Sequence, residues 1–98
     1  MYMKKLKDKE YRRFEDIKHI RDDGSEFWSA RELAPALEYN KWENFHKVIK
    51  RAMIACENSG HIIVDDFPEV RKIVNAGATS KPVIDYKLTR YACYLIVQ

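Results

Sequence analysis

The sequence is short of the residue types that mark many specialised protein classes. Two cysteines, three glycines and three prolines in 98 residues are too few for a disulfide framework, a collagen-like repeat or a low-complexity linker. The longest apolar run, 91–97, is too short to cross a bilayer, and no signal-peptide pattern follows the lysine-rich start. We therefore expect a cytoplasmic protein without membrane contact, in which Cys56 and Cys93 are reduced and buried.

A large net charge is also missing. Eighteen basic and fifteen acidic residues give a formal charge of +3, which is too mild to indicate a nucleic-acid partner by itself. Residues 1–13 nevertheless hold a third of the cations. We predict that this segment is a basic lead-in, either solvated or a helical arm, and that 14–98 form one small domain.

The start of that domain combines a helical signal with a hairpin signal. The segment "FEDIKHI" at 14–20 has apolar residues three positions apart, as a helix does, but Asp-Gly at 23–24 separates two apolar stretches. Asp-Gly in that setting favours a tight β-turn, because glycine tolerates the positive φ that such turns require. We therefore predict strands near 17–20 and 26–28.

Two helix-start signals follow in "ARELAPALEYNKWENFHKVIKR". Ser29 with Glu32, and Asn40 with Glu43, each match a capping box, and apolar residues recur at helical spacing after both. Pro35 lies inside the first helix, where it costs about 3 kcal/mol and bends the helix or makes its first turn irregular. Three charged residues of that helix are expected to face water: Arg31, Glu32 and Glu38. The second helix is predicted to end at the glycine cap of 58–60.

The C-terminal part reads as strands followed by a helix. We predict short strands at 62–64 and 70–74, a turn or mobile loop at 75–82, and a strand with one core face at 83–88. Thr89 is expected to cap a final helix that carries four apolar residues, Tyr91, Ala92, Leu95 and Ile96. The fold class is therefore α+β, with antiparallel hairpins, a helix-turn-helix-like pair and a C-terminal helix.

The second helix of that pair carries the main candidate site. Five polar residues lie opposite its apolar stripe: Asn44, His46, Lys47, Lys50 and Arg51. Lysine and arginine supply phosphate contacts, and asparagine or arginine can read base edges, so this face could bind DNA. The alternative is an ordinary solvated helix face. Three phosphate contacts give a salt slope of only about −2.7, so useful binding needs a symmetric dimer or further contacts from the basic N-terminus and the other cations Arg71, Lys72, Lys81 and Lys87.

Signals for catalysis are weak. His19, His46 and His61 are far apart in the chain, and none has a neighbour that would complete a triad. The spacing of Cys56, His61 and the acids at 65–66 matches no closed zinc pattern. The sequence therefore predicts no enzyme, no metal and no cofactor.

Four segments resemble a known family. The segments "FEDIKHI", "EFWSARELAPALEY", "ACENSG" and especially "DYKLTRYACYLIVQ" are similar to the Bro-N domain, which is found in baculovirus repeated proteins, phage antirepressors and bacterial DNA-damage-inducible proteins. The resemblance covers 14–98. It implies a non-catalytic DNA-binding α+β domain, induction in the bacterial response to DNA damage, and a longer natural protein that continues past Gln98. A second interpretation is a protein-interaction module that acts on the recombination or repair machinery without touching duplex DNA.

Overall fold

The computed structural model describes residues 8–97, and within them it shows a mixed α+β domain. The elements in chain order are α1 (Asp8–Asp16), β1 (His19–Ile20), β2 (Glu26–Ser29), α2 (Ala30–Ala36), α3 (Trp42–Asn58), α4 (Ile63–Asp66), β3 (Glu69–Ala76), β4 (Thr79–Leu88) and α5 (Arg90–Val97). The strands form one antiparallel sheet in the order β1-β2-β4-β3. The predicted fold class is confirmed.

Helix α1 crosses the boundary that we predicted between a lead-in and a domain. Phe14 is fully buried, and its ring stacks on Trp28 with ring centroids 4.3 Å apart. The indole N–H of Trp28 donates to the carbonyl of Phe14 at 2.7 Å, and Tyr11 packs against the same core. The helix is therefore integrated with the rest of the fold from Asp8 onward, whereas 1–7, with Lys4, Lys5 and Lys7, lie outside the described residues.

The first predicted hairpin is confirmed. His19 pairs with Phe27 and Ile20 with Glu26, and Gly24 in the turn has φ 87°. Strand β1 is shorter than predicted because α1 continues to Asp16. The helical and the hairpin signals in "FEDIKHI" are thus both used, one after the other.

Helix α2 keeps half of its predicted capping box. The Ser29 hydroxyl accepts the Glu32 N–H at 3.4 Å, but the Glu32 carboxylate lies 2.6 Å from Nε2 of His19 instead of reaching back. Pro35 lies inside the helix. The helix ends one residue later, at Ala36.

The end of α2 explains how the two helices meet. Glu38 has φ 67°, and the Tyr39 N–H donates to the carbonyl of Ala34 at 2.9 Å. The Glu38 N–H donates to the carbonyl of Pro35 at 3.0 Å. These two hydrogen bonds form a Schellman motif in which Glu38 takes the position that glycine usually occupies. It turns the chain sharply into α3.

Helix α3 is the longest helix and matches the predicted apolar stripe. Phe45, Ile49, Ala52 and Cys56 are buried. The predicted cap at Asn40 is wrong, because Lys41 is the N-cap residue and makes no side-chain cap hydrogen bond. The predicted glycine end is confirmed, with Gly60 at φ 82° and the His61 N–H on the carbonyl of Cys56 at 3.1 Å.

The predicted strand at 62–64 is wrong, since this segment leads into the short helix α4. Ile62 and Val64 are 63% and 70% exposed, and Ile63 alone of the three packs against the core. Asp66 at the end of α4 accepts the Thr89 hydroxyl at 2.6 Å. The segment thus connects α3 to the start of α5 and pairs with no strand among the described residues.

The turn or mobile loop predicted at 75–82 is a tight turn at 77–78, shorter than predicted. Strands β3 and β4 occupy the rest of that segment, with Ala76 opposite Thr79. The turn between them contains Gly77 at φ 70°, and the Ser80 hydroxyl donates to Oδ1 of Asn75 at 3.2 Å. The result is one long β-hairpin that includes the predicted strands at 70–74 and 83–88.

The last helix closes the domain. Thr89 caps it as predicted, because its hydroxyl accepts the Ala92 N–H at 3.1 Å. Arg90 then forms ion pairs with Glu15 of α1 at 3.0 Å and with Glu26 of β2. Over 8–97, no helix has the length and apolar character that a membrane crossing requires.

Candidate nucleic-acid interface

The outer face of α3 presents the main cations of the candidate site. Asn44, Lys47, Lys50 and Arg51 are all exposed. Asn44, Lys47 and Arg51 stand three or four residues apart, and Lys50 is three residues after Lys47, so the four share one side of the helix, opposite the buried Phe45, Ile49 and Ala52. Because the apolar side of α3 is buried in the core, the four polar side chains on its other side face solvent.

The same face is not uniformly basic. Glu43 in the first turn and Glu57 near the end of α3 are exposed, so the cations occupy the central turns. Ile54 lies among them and is 60% exposed. The face therefore combines three cations with an uncovered apolar side chain.

His46 is separate from this exposed group. It is half-buried, and its Nε2 lies 2.8 Å from the hydroxyl of Tyr86 on β4, while its ring stacks on Trp42 with centroids 5.3 Å apart. Burial lowers the pKa of His46, and the positive charges of Lys50 and Arg31 lower it further. This residue joins α3 to the sheet and is not an outward ligand.

The register of β3 and β4 decides which way the hairpin cations point. Residues paired across the ladder share a face of the sheet, and successive residues alternate between faces. Arg71 pairs with Ile84, two positions from Tyr86, so it lies on the face against which α3 packs. The opposite face carries the other three cations: Lys72, Lys81 and Lys87.

Two of those three lysines already have partners. Nζ of Lys72 lies 2.9 Å from the buried carboxylate of Asp85 and 3.2 Å from the hydroxyl of Ser29. The ammonium of Lys87 lies 5.1 Å from the ring centroid of Phe27, within cation–π range. Lys81 is exposed further along the hairpin. The nine predicted residues thus form no single surface.

Asp85 is a polar group whose burial the sequence did not reveal. It is 1% exposed, and its carboxylate accepts the Ser29 hydroxyl at 2.6 Å and the Arg31 N–H at 3.0 Å. Burial by itself would raise the pKa of Asp85, but the hydrogen bonds from Ser29, Lys72 and the backbone outweigh it and lower the pKa. The alternating pattern of β4 placed Asp85 on the face opposite Ile84 and Tyr86, but it did not show that α2 covers that face.

Arg31 corrects another prediction. It was expected to face water, but it is half-buried. Its guanidinium carbon lies 4.0 Å from the ring centroid of Trp42, and its Nε donates to the carbonyl of Ile84 at 2.8 Å. Arg31 therefore joins α2, α3 and β4 beside the candidate surface.

Metal chemistry has no clear place in this arrangement. Among residues 8–97, no group of three or more His, Cys, Asp or Glu side chains is arranged to hold a metal ion. The cysteines are free and buried. Burial raises the pKa of Cys93 well above its usual value, which disfavours the reactive thiolate.

Comparison with known proteins places this geometry in context. The N-terminal domain of the BRO family matches residues 16–98. DNA damage-inducible protein D of Escherichia coli (strain K12) is 49% identical over 86 residues, which are 87% of this chain and 31% of that protein. The chain thus spans about a third of the length of this relative. No solved structure matches the chain significantly.

Proposed function

Because this chain belongs to the BRO family of N-terminal domains, we propose that it is a non-catalytic, cytoplasmic DNA-binding module. We further propose that it serves in a bacterial protein of the SOS response, and the name of its relative, a DNA damage-inducible protein, supports the induction by DNA damage. The observation that carries the proposal is the exposed group of Lys47, Lys50 and Arg51 on the central turns of α3. The helix-turn-helix-like pair of α2 and α3 would present that group to a duplex, in the manner of an antirepressor-like domain.

The contacts follow from the chemistry of the side chains. Lys47, Lys50 and Arg51 supply charges for phosphates. Asn44 and Arg51 also have donors suited to adenine and guanine edges in the major groove. His46 supports this surface through Tyr86 and is not a ligand. Since three phosphate contacts give weak, salt-sensitive binding, a symmetric homodimer or the hairpin cations would have to supplement them.

Fluorescence anisotropy of a labelled duplex, titrated at low and moderate salt, tests the proposal. Replacing Lys47, Lys50 and Arg51 together by glutamate should abolish binding and leave the circular dichroism spectrum unchanged, because all three are exposed. The matched control is the charge-preserving double variant Lys47→Arg and Lys50→Arg, which should keep both affinity and salt slope. No binding by the unsubstituted protein at low salt would contradict the proposal.

Ile54 favours a second candidate function. An exposed isoleucine amid cations suits a protein interface, whose centre is apolar and whose rim is charged. Under this reading the domain binds a repair or recombination protein. Ile54→Ser should then weaken capture of that partner from damaged cells, while duplex binding at low salt should be absent from the start.

A further inference from the structure

The β3–β4 hairpin extends well beyond the body of the sheet. Strand β2 pairs with β4 only at Leu88 and Lys87, so from residue 86 back to the turn β4 has no described strand neighbour except β3. Residues 77–82 are all exposed, and Ile73 is 68% exposed. At about 3.3 Å per residue, the stretch 71–76 projects on the order of 20 Å.

This projecting arm is positively charged throughout. Between Glu69 and Asp85 the sequence contains no acidic residue, but it contains Arg71, Lys72 and Lys81. Lys72 is held by Asp85 at the base. Arg71 is exposed next to Lys72 on the other face, and Lys81 is exposed further out, so the field around the arm attracts an anion.

One face of the arm combines this charge with apolar and amide groups. The register pairs Ile73 with Pro82 and Asn75 with Ser80, and both pairs lie on the same face as Arg71 because residues two apart point the same way. It is also the face on which His46 of α3 meets Tyr86. A ligand that lies along α3 can therefore continue onto the arm.

The edges of the arm are not suited to another strand. Pro82 cannot donate to a β-ladder, and it lies on the part of β4 that β2 leaves open. Arg71 and Lys72 occupy the outer strand, and edge cations and proline are the usual devices against strand addition. Exposure of the arm is thus better explained by a ligand that meets its side chains than by one that extends the sheet.

Resting on the DNA binding proposed above, we propose that the β3–β4 hairpin is a second DNA-binding element, a two-stranded ribbon that lies in the major groove. The groove is about 12 Å wide and admits such a ribbon. Arg71, on the same face as Ile73 and Pro82, contacts a phosphate at the edge of the groove, whereas Lys81 lies on the opposite face and points away from the DNA. Ile73 and Pro82 lie against thymine methyl groups, and the Asn75 amide faces base edges.

Salt dependence tests the contact of Arg71. In anisotropy titrations of an A·T-rich duplex, Arg71→Ala should reduce the magnitude of the salt slope by about 0.9, the value for one lost phosphate contact. Lys81→Ala, on the opposite face of the arm, is the matched control and should change the slope much less, and the charge-preserving Arg71→Lys should keep it. All these substitutions are at exposed positions, so an unchanged melting temperature verifies that the fold is intact.

The apolar contact has its own signature. Ile73→Ala should weaken binding about fourfold with no change in salt slope, because the burial of roughly one methyl group is lost. Replacing thymine by uracil in the duplex should weaken the unsubstituted protein by a similar factor and the Ile73→Ala protein hardly at all. Ile62→Ala is the matched control and should bind normally. Ile62 is 63% exposed and lies just before α4, outside the arm.

The outcomes separate the arm from the α3 face. If the protein binds DNA but the arm variants keep its affinity and slope, the arm is excluded and the proposed function stands. If the unsubstituted protein binds no duplex, the proposed function fails first. Equal affinity for thymine and uracil duplexes would overturn the placement of Ile73 in the major groove.

Discussion

The carboxylate of Asp85 lies 2.9 Å from Nζ of Lys72 and accepts the Ser29 hydroxyl at 2.6 Å. This buried carboxylate joins the base of the hairpin to the first turn of α2. Its four donors are the Ser29 hydroxyl, the Lys72 ammonium and the backbone N–H groups of Arg31 and Tyr86. Asp85→Ala should destabilise the protein by about 3 kcal/mol in urea denaturation, because buried donors lose their acceptor. Asp65→Ala, at an exposed acid of α4, is the control and should change stability by less than about 0.5 kcal/mol. A small effect at Asp85 would contradict its structural role.

The burial of His46 should make stability depend on pH. Burial, with Lys50 and Arg31, lowers the pKa of His46 in the folded protein. The unfolded chain therefore takes up this proton at higher pH, and stability is lost as pH falls below the ordinary value of 6.5 and continues to fall until the folded state is also protonated. The urea midpoint of His46→Gln should decline less over that range than that of the wild type. Parallel declines in the two proteins would contradict the prediction.

Glu38 offers a substitution that should stabilise the domain. It has φ 67° at the position after α2, where glycine is the residue without a steric cost. Its ion pair with Arg13, at 3.4 Å and exposed, contributes little. Glu38→Gly should raise the free energy of unfolding by about 0.5–1 kcal/mol. The same substitution at exposed Glu57, inside α3, should instead lower it by about 1 kcal/mol.

The stacking of Phe14 on Trp28 predicts where the domain can be shortened. A chain that begins at residue 14 lacks the first turns of α1 and the packing of Tyr11, so it should unfold at lower urea concentration than one that begins at residue 8. Phe14→Ala should cost about 3–5 kcal/mol. Equal stability of the two truncated chains would show that 8–13 are dispensable.

Local patterns were sufficient for the elements whose cause lies in neighbouring residues. The stripe from Phe45 to Cys56 determines α3, and Thr89 marks the start of α5, since spacing and caps act within a few residues. The segment 62–64 shows where this fails. Its apolar run resembles a strand, but among residues 8–97 no partner strand lies beside it. Asp66, at the end of the helical turn, instead accepts hydrogen bonds from the hydroxyl and the N–H of Thr89.

The candidate site was predicted less completely than the fold. The outward direction of Lys47 and Arg51 follows from the buried face of α3, so periodicity was enough. Arg71 and Lys81 lie on opposite faces of the hairpin because of the register between β3 and β4. His46 turns from solvent toward the sheet because it contacts Tyr86, which is distant in sequence. Such pairings are decided by tertiary packing that a single sequence does not display.

Arg90 connects the two ends of the described chain. Its guanidinium pairs with Glu15 and Glu26, and the hydrogen bond to Glu26 is the main cause that raises the pKa of Arg90. These contacts span most of the polypeptide, so they form only when its last helix is present. On the ribosome, Glu15 and Glu26 would therefore lack this partner until residue 90 has left the exit tunnel, so the ion pairs that join α1 and β2 to α5 would form late in the synthesis of residues 8–97.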